Sequence, residues 1–268
     1  MAIATFVAAL DGINFQGLRL ALRNREQARV YLSRSVRLFD ELSGRGLKGR
    51  DPLKFIYEQS WAIPTPEVRV IFPATLETGG GTQLNEQVYL ATVAQVLRPR
   101  KVFEIGTFRG HTTSLFILNT PAETEVWTLD LPPQPKLDKA ELSEYIGTDV
   151  ALVRNRTLAR YVKELGLTER CRQVYCDSLK FDPAPHRGTV ELGFIDGAHA
   201  RRYVESDTRK MAAMMAERGL VFWHDYGGKG DFKPLTEYLD ALAREINIFR
   251  VPETSLAWAQ ASELRRLV

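Results

Sequence analysis

The sequence predicts an α/β fold in which a doubly wound, mostly parallel sheet carries helices on both faces. Three observations support this class. From Leu84 onward short apolar runs alternate with helical patterns, acidic residues follow four of the apolar runs, and a Gly-x-x-x-Gly turn follows the first of them. Because parallel strands end at one edge of a sheet, and ligands bind outside that edge, we expect these acidic groups to converge.

The individual elements follow from this alternation. Tyr89, Val93, Val96 and Leu97 recur at helical spacing and predict a helix that Pro99 closes. A polar helical stretch fills residues 137–166. The predicted strands span 101–105, 125–129, 172–175, 190–195, 220–223, 246–251 and 255–260. The other predicted helices span about 111–118, 200–217 and 233–244.

Composition limits the classes of partner. The 268 residues suffice for one buried core with additions, and 36 Lys and Arg against 33 Asp and Glu give no support for nucleic-acid binding. The apolar N-terminus is short and lacks basic residues, which argues against a signal peptide or membrane span. Two cysteines without metal-binding spacing suit a reducing, cytoplasmic setting. We expect a small-molecule partner, no nucleic acid and no membrane, with homo-oligomerisation left open.

Two domains are expected. Residues 1–82 are predicted to be a helical or irregular extension that acts as a lid or an oligomer contact, and residues 83–268 the main domain. Arginines between Arg19 and Arg37 recur at roughly helical spacing, which favours the solvated face of a helix; an anion-binding surface is the alternative. The segment 132–156 is longer than a minimal connection and is expected to form a lid together with the extension.

The glycine turn and the next strand end suggest a nucleotide-like ligand. Gly106 and Gly110 let a ligand approach the backbone, although ordinary strand–helix connections also use glycine. Asp130 ends the second strand 24 residues after Gly106, where a carboxylate could accept hydrogen bonds from both ribose hydroxyls. The alternative role, a cap of the following helix, is weakened by the intervening Pro132 and Pro133.

Two longer motifs resemble a known family. Glu104-Ile-Gly-Thr-Phe-Arg-Gly110 resembles the first motif of class I S-adenosylmethionine-dependent methyltransferases and departs from the Gly-x-Gly-x-x-Gly of NAD-dependent oxidoreductases, which remain a remote alternative. The segment 194–199, with Tyr203, Val204 and Asp207, and the segment 219–225 resemble the branch of small-molecule O-methyltransferases, including catechol-type, macrolide-sugar and cephalosporin-tailoring enzymes. The resemblance covers about residues 84–260 and implies a Rossmann-like, seven-stranded sheet with an antiparallel last strand.

The resemblance also implies roles for individual residues. The methionine portion of S-adenosylmethionine would be held by Glu104, Gly106 and Thr107, with Gly110 in the same turn. Asp130 would bind the ribose, and Asp177 with Ser178 would bind the adenine. Asp196 would border the cofactor and, with Asp225, would bind Mg2+ in metal-dependent members. The resemblance places His199 where catechol-type enzymes have a catalytic lysine, so His199 and Asp196 are the predicted catalytic residues.

Metal dependence is left open by the same comparison. Tyr226 stands where the catechol-type pattern has an amide ligand, and His224 could replace that ligand or be a core histidine. Imidazole favours divalent ions other than Mg2+. The expected function is methyl transfer from S-adenosylmethionine to a hydroxyl of a small molecule. Assistance by a divalent metal is left open. The alternatives are a non-catalytic cofactor-binding module and a cephalosporin-hydroxylase-like enzyme on the same fold.

Overall fold

A computed structural model describes residues 46–59, 66–71, 81–135, 145, 147–155 and 157–268. Residues 50–268 form one compact unit, and residues 1–49 are grouped apart from it. The predictions for residues 1–45, including the arginine-bearing helix face, lie outside the described residues. The predicted domain boundary between residues 82 and 83 stays a prediction. Within the described ranges, no helix is both long enough and apolar enough to cross a membrane.

Strands and helices alternate along the described chain, as the hydrophobic pattern predicts. The strands are β1 (Lys101–Ile105), β2 (Glu125–Asp130), β3 (Cys171–Tyr175), β4 (Val190–Ile195), β5 (Met215–Trp223), β6 (Ile248–Arg250) and β7 (Ala257–Gln260). The helices are α1 (Pro52–Glu58), α2 (Leu84–Leu97), α3 (His111–Leu118), α4 (Gly147–Asn155), α5 (Arg160–Glu164), α6 (Arg201–Met214), α7 (Lys233–Leu242) and α8 (Ala261–Leu264).

The seven strands form one sheet in the order β3-β2-β1-β4-β5-β7-β6. Pairing is parallel from β3 through β5, and β7 runs antiparallel to both of its neighbours. The predicted seven-stranded, mostly parallel sheet with an antiparallel last strand is therefore confirmed. The chain reverses its direction of winding between β1 and β4, and such a reversal opens a crevice at the carboxyl ends of the strands.

Helices cover both faces because successive strand residues point to opposite sides. Leu192 and Phe194 of β4 join the core cluster that also contains residues of α1, α2 and α3. Gly193 lies between them and faces the other side, where an added Cβ would stand 2.7 Å from the sulfur of Met211 on α6. This close approach lets α6 pack directly on β4 and β5.

One predicted boundary is wrong. A helix to residue 217 and a strand from Leu220 were expected, but α6 ends at Met214 and β5 begins at Met215. Met215 has an extended backbone, with ψ of 132°, and pairs with Val190 before the register shifts towards Leu220. Pairing with β4 thus overrides the local helix preference of Ala216-Glu217-Arg218. The final strands are shorter than predicted, and within the polar stretch 137–166 the described helices are α4 and α5.

Candidate functional site

The strand ends place the predicted site residues at one edge of the sheet. Ile105 pairs with Leu129 on one side and with Ile195 on the other, and Ile195 pairs with Trp223. The next residue of each strand or turn therefore falls in the same row across the sheet. That row reads Asp130, Gly106, Asp196 and His224.

The turn after β1 requires its glycines. Gly106 has φ of +103°, and an added Cβ would lie 2.0 Å from the carbonyl oxygen of Asp196. Gly110 has φ of +77°, precedes α3, and would meet a methyl group of Val162 at 2.8 Å. Phe108 also has a positive φ, 47°, which is unusual for a residue with a side chain. The backbone of the turn therefore has no room for larger residues at either glycine.

Glu104 lies beneath this turn and not in the cavity above it. Its side chain is on the same face of β1 as Val102, and its carboxylate accepts hydrogen bonds from the hydroxyls of Thr113 and Thr128, the latter at 2.7 Å. Thr107 belongs to the same group, because its hydroxyl lies 2.7 Å from that of Thr128. Burial raises the pKa of Glu104 to about 8 despite the two hydroxyl hydrogen bonds. Glu104 and Thr107 therefore stabilise the glycine turn through buried hydrogen bonds below it.

Asp130 connects the end of β2 to the glycine turn. One carboxylate oxygen accepts the N–H of Phe108 at 2.8 Å, and the other accepts the N–H of Leu131 at 2.6 Å. A carboxylate oxygen has two lone pairs and can accept more than one hydrogen bond. Asp130 lines the cavity described below, whereas the alternative of a helix cap finds no support in these contacts.

Of the two residues predicted to bind adenine, Ser178 lines the cavity and Asp177 stabilises the turn next to it. Ser178 lines the cavity, and its carbonyl oxygen accepts the ammonium group of Lys210. Asp177 holds the turn after β3 by accepting the N–H of Leu179 at 2.9 Å. Behind them Asp207 is fully buried, and burial raises the pKa of its carboxyl group to about 7.

A cavity of about 440 Å³ lies above the row of strand ends. Its walls are mostly apolar and aromatic, and four carboxylates and two histidines face it. Among its described lining residues there is no lysine or arginine. The lining includes Gly106, Phe108, Leu129, Asp130, Leu131, Tyr145, Asp149, Leu152, Val153, Ser178, Asp196, His199, Tyr203, His224, Asp225 and Phe232.

His199 is held between two carboxylates at this cavity. Its Nδ1 lies 2.8 Å from Oδ1 of Asp149, and its Nε2 lies 3.1 Å from Oδ2 of Asp225. Phe232 stands edge-on to the imidazole, with ring centroids 4.7 Å apart. A ring with a carboxylate at each nitrogen must donate from both and is therefore an imidazolium. Burial opposes this charge, but the hydrogen bonds to Asp149 and Asp225 raise the pKa of His199 to about 10.

His224 has a matching arrangement from the other side. Its Nε2 lies 3.1 Å from the buried carboxylate of Glu86, and its Nδ1 lies 3.2 Å from Asp196 and 3.1 Å from Asp225. Burial opposes protonation here too, but the charges of Asp196 and Asp225 raise the pKa of His224 well above its ordinary value. Glu86 also accepts the N–H and hydroxyl of Ser255, which fixes α2 against the segment before β7.

Asp225 occupies the centre of this pair of histidines. The same oxygen, Oδ2, lies 3.1 Å from a ring nitrogen of His199 and 3.1 Å from a ring nitrogen of His224. Burial would raise its pKa, but the charges of both histidines lower it below the ordinary range. The backbone of Asp225 has φ of 61°, a strained conformation that aims the carboxylate between the rings. Asp196 differs, because burial raises the pKa of its carboxyl group.

The donors present fit a divalent cation. One ligand atom each from Asp196, His199 and Asp225 lies within 4.8 Å of the others. Two carboxylates and an imidazole suit Mn2+, Fe2+ or Zn2+ as well as Mg2+. Tyr226 takes no part in this set, because its hydroxyl donates to Asp240 at 2.7 Å. His224 faces the same two carboxylates, so its role as a ligand stays a prediction.

Sequence patterns alone missed Glu86 and Asp149, the outer partners of the two histidines. Glu86 reads as part of a capping box at the start of α2, since it also accepts the N–H of Gln83. Asp149 reads as an acid in the first turn of α4. Neither position carries a motif that would pair it with a histidine 138 or 50 residues away. The other two histidines, His111 and His186, are not among the lining residues of the cavity.

Comparison with known proteins agrees with this geometry. Residues 103–226 match a family model described as a methyltransferase domain, from β1 through the residue after Asp225. This part of the chain is therefore similar to a methyltransferase domain. The match contains the glycine turn, Asp130, His199 and both metal-type carboxylates. No curated protein matches the chain in sequence.

Several solved structures resemble the methyltransferase domain at low identity. The S-adenosylhomocysteine-bound methyltransferase PaMTH1 from Podospora anserina is 13% identical, with a TM-score of 0.49, over 66% of this chain and 78% of its own. A methyltransferase from Geobacter sulfurreducens is 18% identical, with a TM-score of 0.45, over 84% and 95%. The O-methyltransferase TomG from Streptomyces achromogenes, in complex with S-adenosylmethionine, is 13% identical, with a TM-score of 0.46, over 67% and 81%.

Proposed function

We propose that this methyltransferase domain transfers a methyl group from S-adenosylmethionine to a hydroxyl of a small, uncharged molecule. The observation that carries the proposal is the single cavity that joins Asp130 at one end of the strand row to His199, Asp196 and Asp225 at the other. The first end suits a ribose, and the second suits a reacting hydroxyl. A volume of about 440 Å³ is in the range of small-molecule sites.

The cofactor would lie along the row of strand ends. The tight turn at Gly106 would admit its methionine portion, and the carboxylate of Asp130, which lines the cavity, would accept hydrogen bonds from the ribose hydroxyls. Ser178 and Leu131 would flank the adenine. Glu104 and Thr107 would act indirectly, because their side chains bond to Thr113 and Thr128 below the turn. Class I methyltransferases need little chemistry from the protein at the sulfonium, so orientation is the main task of these residues.

The charge of the cavity selects the acceptor. Four carboxylates face it, Asp130, Asp149, Asp196 and Asp225, and the two protonated histidines, His199 and His224, offset only part of this negative charge; the described lining residues include no lysine or arginine. An anionic group near the reacting hydroxyl would be repelled in this low-dielectric space. Phe232, Leu152 and Val153 provide apolar contacts instead. These features favour an uncharged acceptor with an apolar body.

We assign removal of the hydroxyl proton to His199, with Asp196 and Asp225 orienting the hydroxyl. Nε2 is the ring nitrogen on the cavity side, and its proton is shared with Asp225. That proton must leave before the ring can accept another one. If Asp196, His199 and Asp225 held a divalent cation, the cation would supply Lewis acidity to the hydroxyl, and Nε2 of His199 would then be a ligand and not the base.

The test is a transfer assay with S-adenosylmethionine labelled in its methyl group. Catechol is the neutral acceptor, and benzoic acids bearing the same two hydroxyls are the anionic comparison. We expect labelled methyl ether from catechol, slower transfer to the acids, and a kcat for His199→Gln lower by about 10²–10⁴-fold. Cofactor binding without transfer to any hydroxyl compound in the panel would contradict the proposal and favour a non-catalytic binding module.

A second candidate is an oxidative reaction at the same site. It is favoured by the two histidines beside two carboxylates, since imidazole and carboxylate together are the usual ligands of non-haem iron. The product distinguishes the two candidates. Methyl transfer adds a methylene unit to the mass of the acceptor and releases S-adenosylhomocysteine. Hydroxylation would consume dioxygen and a two-electron reductant, add one oxygen atom to the acceptor, release the other as water, and leave S-adenosylmethionine intact.

A further inference from the structure

Both carboxylate oxygens of Asp149 contact His199. Oδ2 accepts the backbone N–H of His199 at 2.9 Å, and Oδ1 lies 2.8 Å from Nδ1 of the same residue. Asp149 is 5% exposed and His199 is 5% exposed, so water does not compete for these bonds. A buried, two-point carboxylate contact of this kind fixes both the backbone position and the ring orientation of the histidine.

The location of Asp149 makes this contact unusual. Asp149 lies in the first turn of α4, where an acid ordinarily interacts with the free N–H groups of its own helix. Here its side chain reaches instead across the cavity to the loop after β4. His199 does not cap α6, whose N-cap is Ala200 without a side-chain hydrogen bond. Capping of α6 therefore does not explain the contact between Asp149 and His199.

We propose that Asp149 is a positioning residue that holds His199 by Nδ1 so that Nε2 faces the acceptor. Phe232 restrains the ring from its edge, and the Nε2 contact to Asp225 is longer, at 3.1 Å, and less buried than the contact to Asp149. The Asp149 contact is thus the anchor, and the Asp225 contact is the side open to the cavity. This inference rests on the proposed function of His199 and adds the residue through which α4 controls it.

The kinetic test is a double-mutant cycle with catechol and S-adenosylmethionine. Asp149→Asn keeps the size of the side chain but replaces one acceptor oxygen by a donor. Its kcat should be lower than that of the wild type by about 10–100-fold, while the KM for S-adenosylmethionine should stay within about twofold. In a His199→Gln background the same substitution should change kcat by less than about twofold. Asp182→Asn, at an exposed loop acid, is the matched control and should leave kcat unchanged.

A spectroscopic test does not depend on turnover. The chain has 4 histidines, so nitrogen–proton NMR of the imidazole rings can be assigned to His199 by difference with His199→Gln. We expect a protected Nδ1–H signal from His199 that disappears in Asp149→Asn, with the His186 signals unchanged. Effects of Asp149→Asn and His199→Gln that multiply in kcat would overturn the proposal, as would an unchanged ring spectrum. Failure of the wild type to methylate any acceptor would instead refute the proposed function, and the spectrum would still decide whether Asp149 anchors His199.

Discussion

Replacing Glu104 by glutamine should stabilise the protein, and the gain should grow with pH. Glu104 is 1% exposed, and its pKa is raised from 4.5 to about 8 by burial. Below pH 4.5 the carboxyl group is protonated in both the folded and the unfolded state. Above that pH the unfolded state releases the proton while the folded state retains it, so the free energy of unfolding falls until the pH passes about 8.

The magnitude follows from the size of this window. Within this window each pH unit lowers the free energy of unfolding by about 1.4 kcal/mol. The free energy of unfolding of the wild type should therefore fall by about 3 kcal/mol between pH 4.5 and pH 7 because of Glu104. Glutamine cannot ionise, and its amide oxygen can still accept the hydroxyls of Thr113 and Thr128. The difference between Glu104→Gln and wild type should therefore be small near pH 5 and reach about 3 kcal/mol near pH 7.

Urea unfolding followed by circular dichroism at several pH values between 5 and 8 measures this difference. Taking the difference between the two proteins cancels the contribution of other buried acids such as Asp207. Glu123→Gln, at an exposed carboxylate, is the control and should give a difference that does not vary with pH. Parallel pH curves for Glu104→Gln and wild type would refute a raised pKa at this residue.

Three further predictions concern the site. Gly106→Ala should abolish S-adenosylmethionine binding and lower the melting temperature, because the added Cβ would lie 2.0 Å from the carbonyl oxygen of Asp196. Gly188 has open space around it, so Gly188→Ala should lose only about 1 kcal/mol of stability from its positive φ. Equal losses of stability in the two variants would contradict the predicted clash at Gly106. In the presence of a chelator, kcat should rise as the pH increases towards about 10, where His199 loses its second proton, and a flat profile from pH 7 to 10 would exclude His199 as the base. Protonated His199 also stabilises the fold. The melting temperature should therefore decline as the pH rises from about 6.5 to about 10, because the unfolded state loses the proton in this range while the folded state keeps it, and His199→Gln should weaken that decline. An unchanged decline in His199→Gln would argue against the raised pKa.

The edge of the sheet was predictable because its causes are local. Apolar runs define the strands, and the residue that follows each run falls in one row once the strands are parallel and in register. Asp130, Asp196 and Asp225 could therefore be assigned to one site from the sequence. The orientation of Glu104 was also within reach, because strand alternation places it on the same face as the buried Val102.

The contacts that tune the site depend on tertiary structure and have no sequence signal. Asp149 meets His199 only because α4 crosses above the strand ends, and Glu86 meets His224 only because α2 packs beside β5 and β7. The predicted end of α6 was wrong for a related reason, since Met215 joins a strand that begins only when β4 is beside it. Each of these features depends on residues far away in the chain.

The row of strand ends should bind S-adenosylmethionine through Asp130, and calorimetric titration with the cofactor measures this binding. The wild type should bind one molecule per chain. Asp130→Ala should bind about 10–100-fold more weakly, since it loses charge-assisted hydrogen bonds to the ribose worth about 1.5–3 kcal/mol. Absence of saturable binding by the wild type at millimolar cofactor, or equal affinity in Asp130→Ala, would contradict the account.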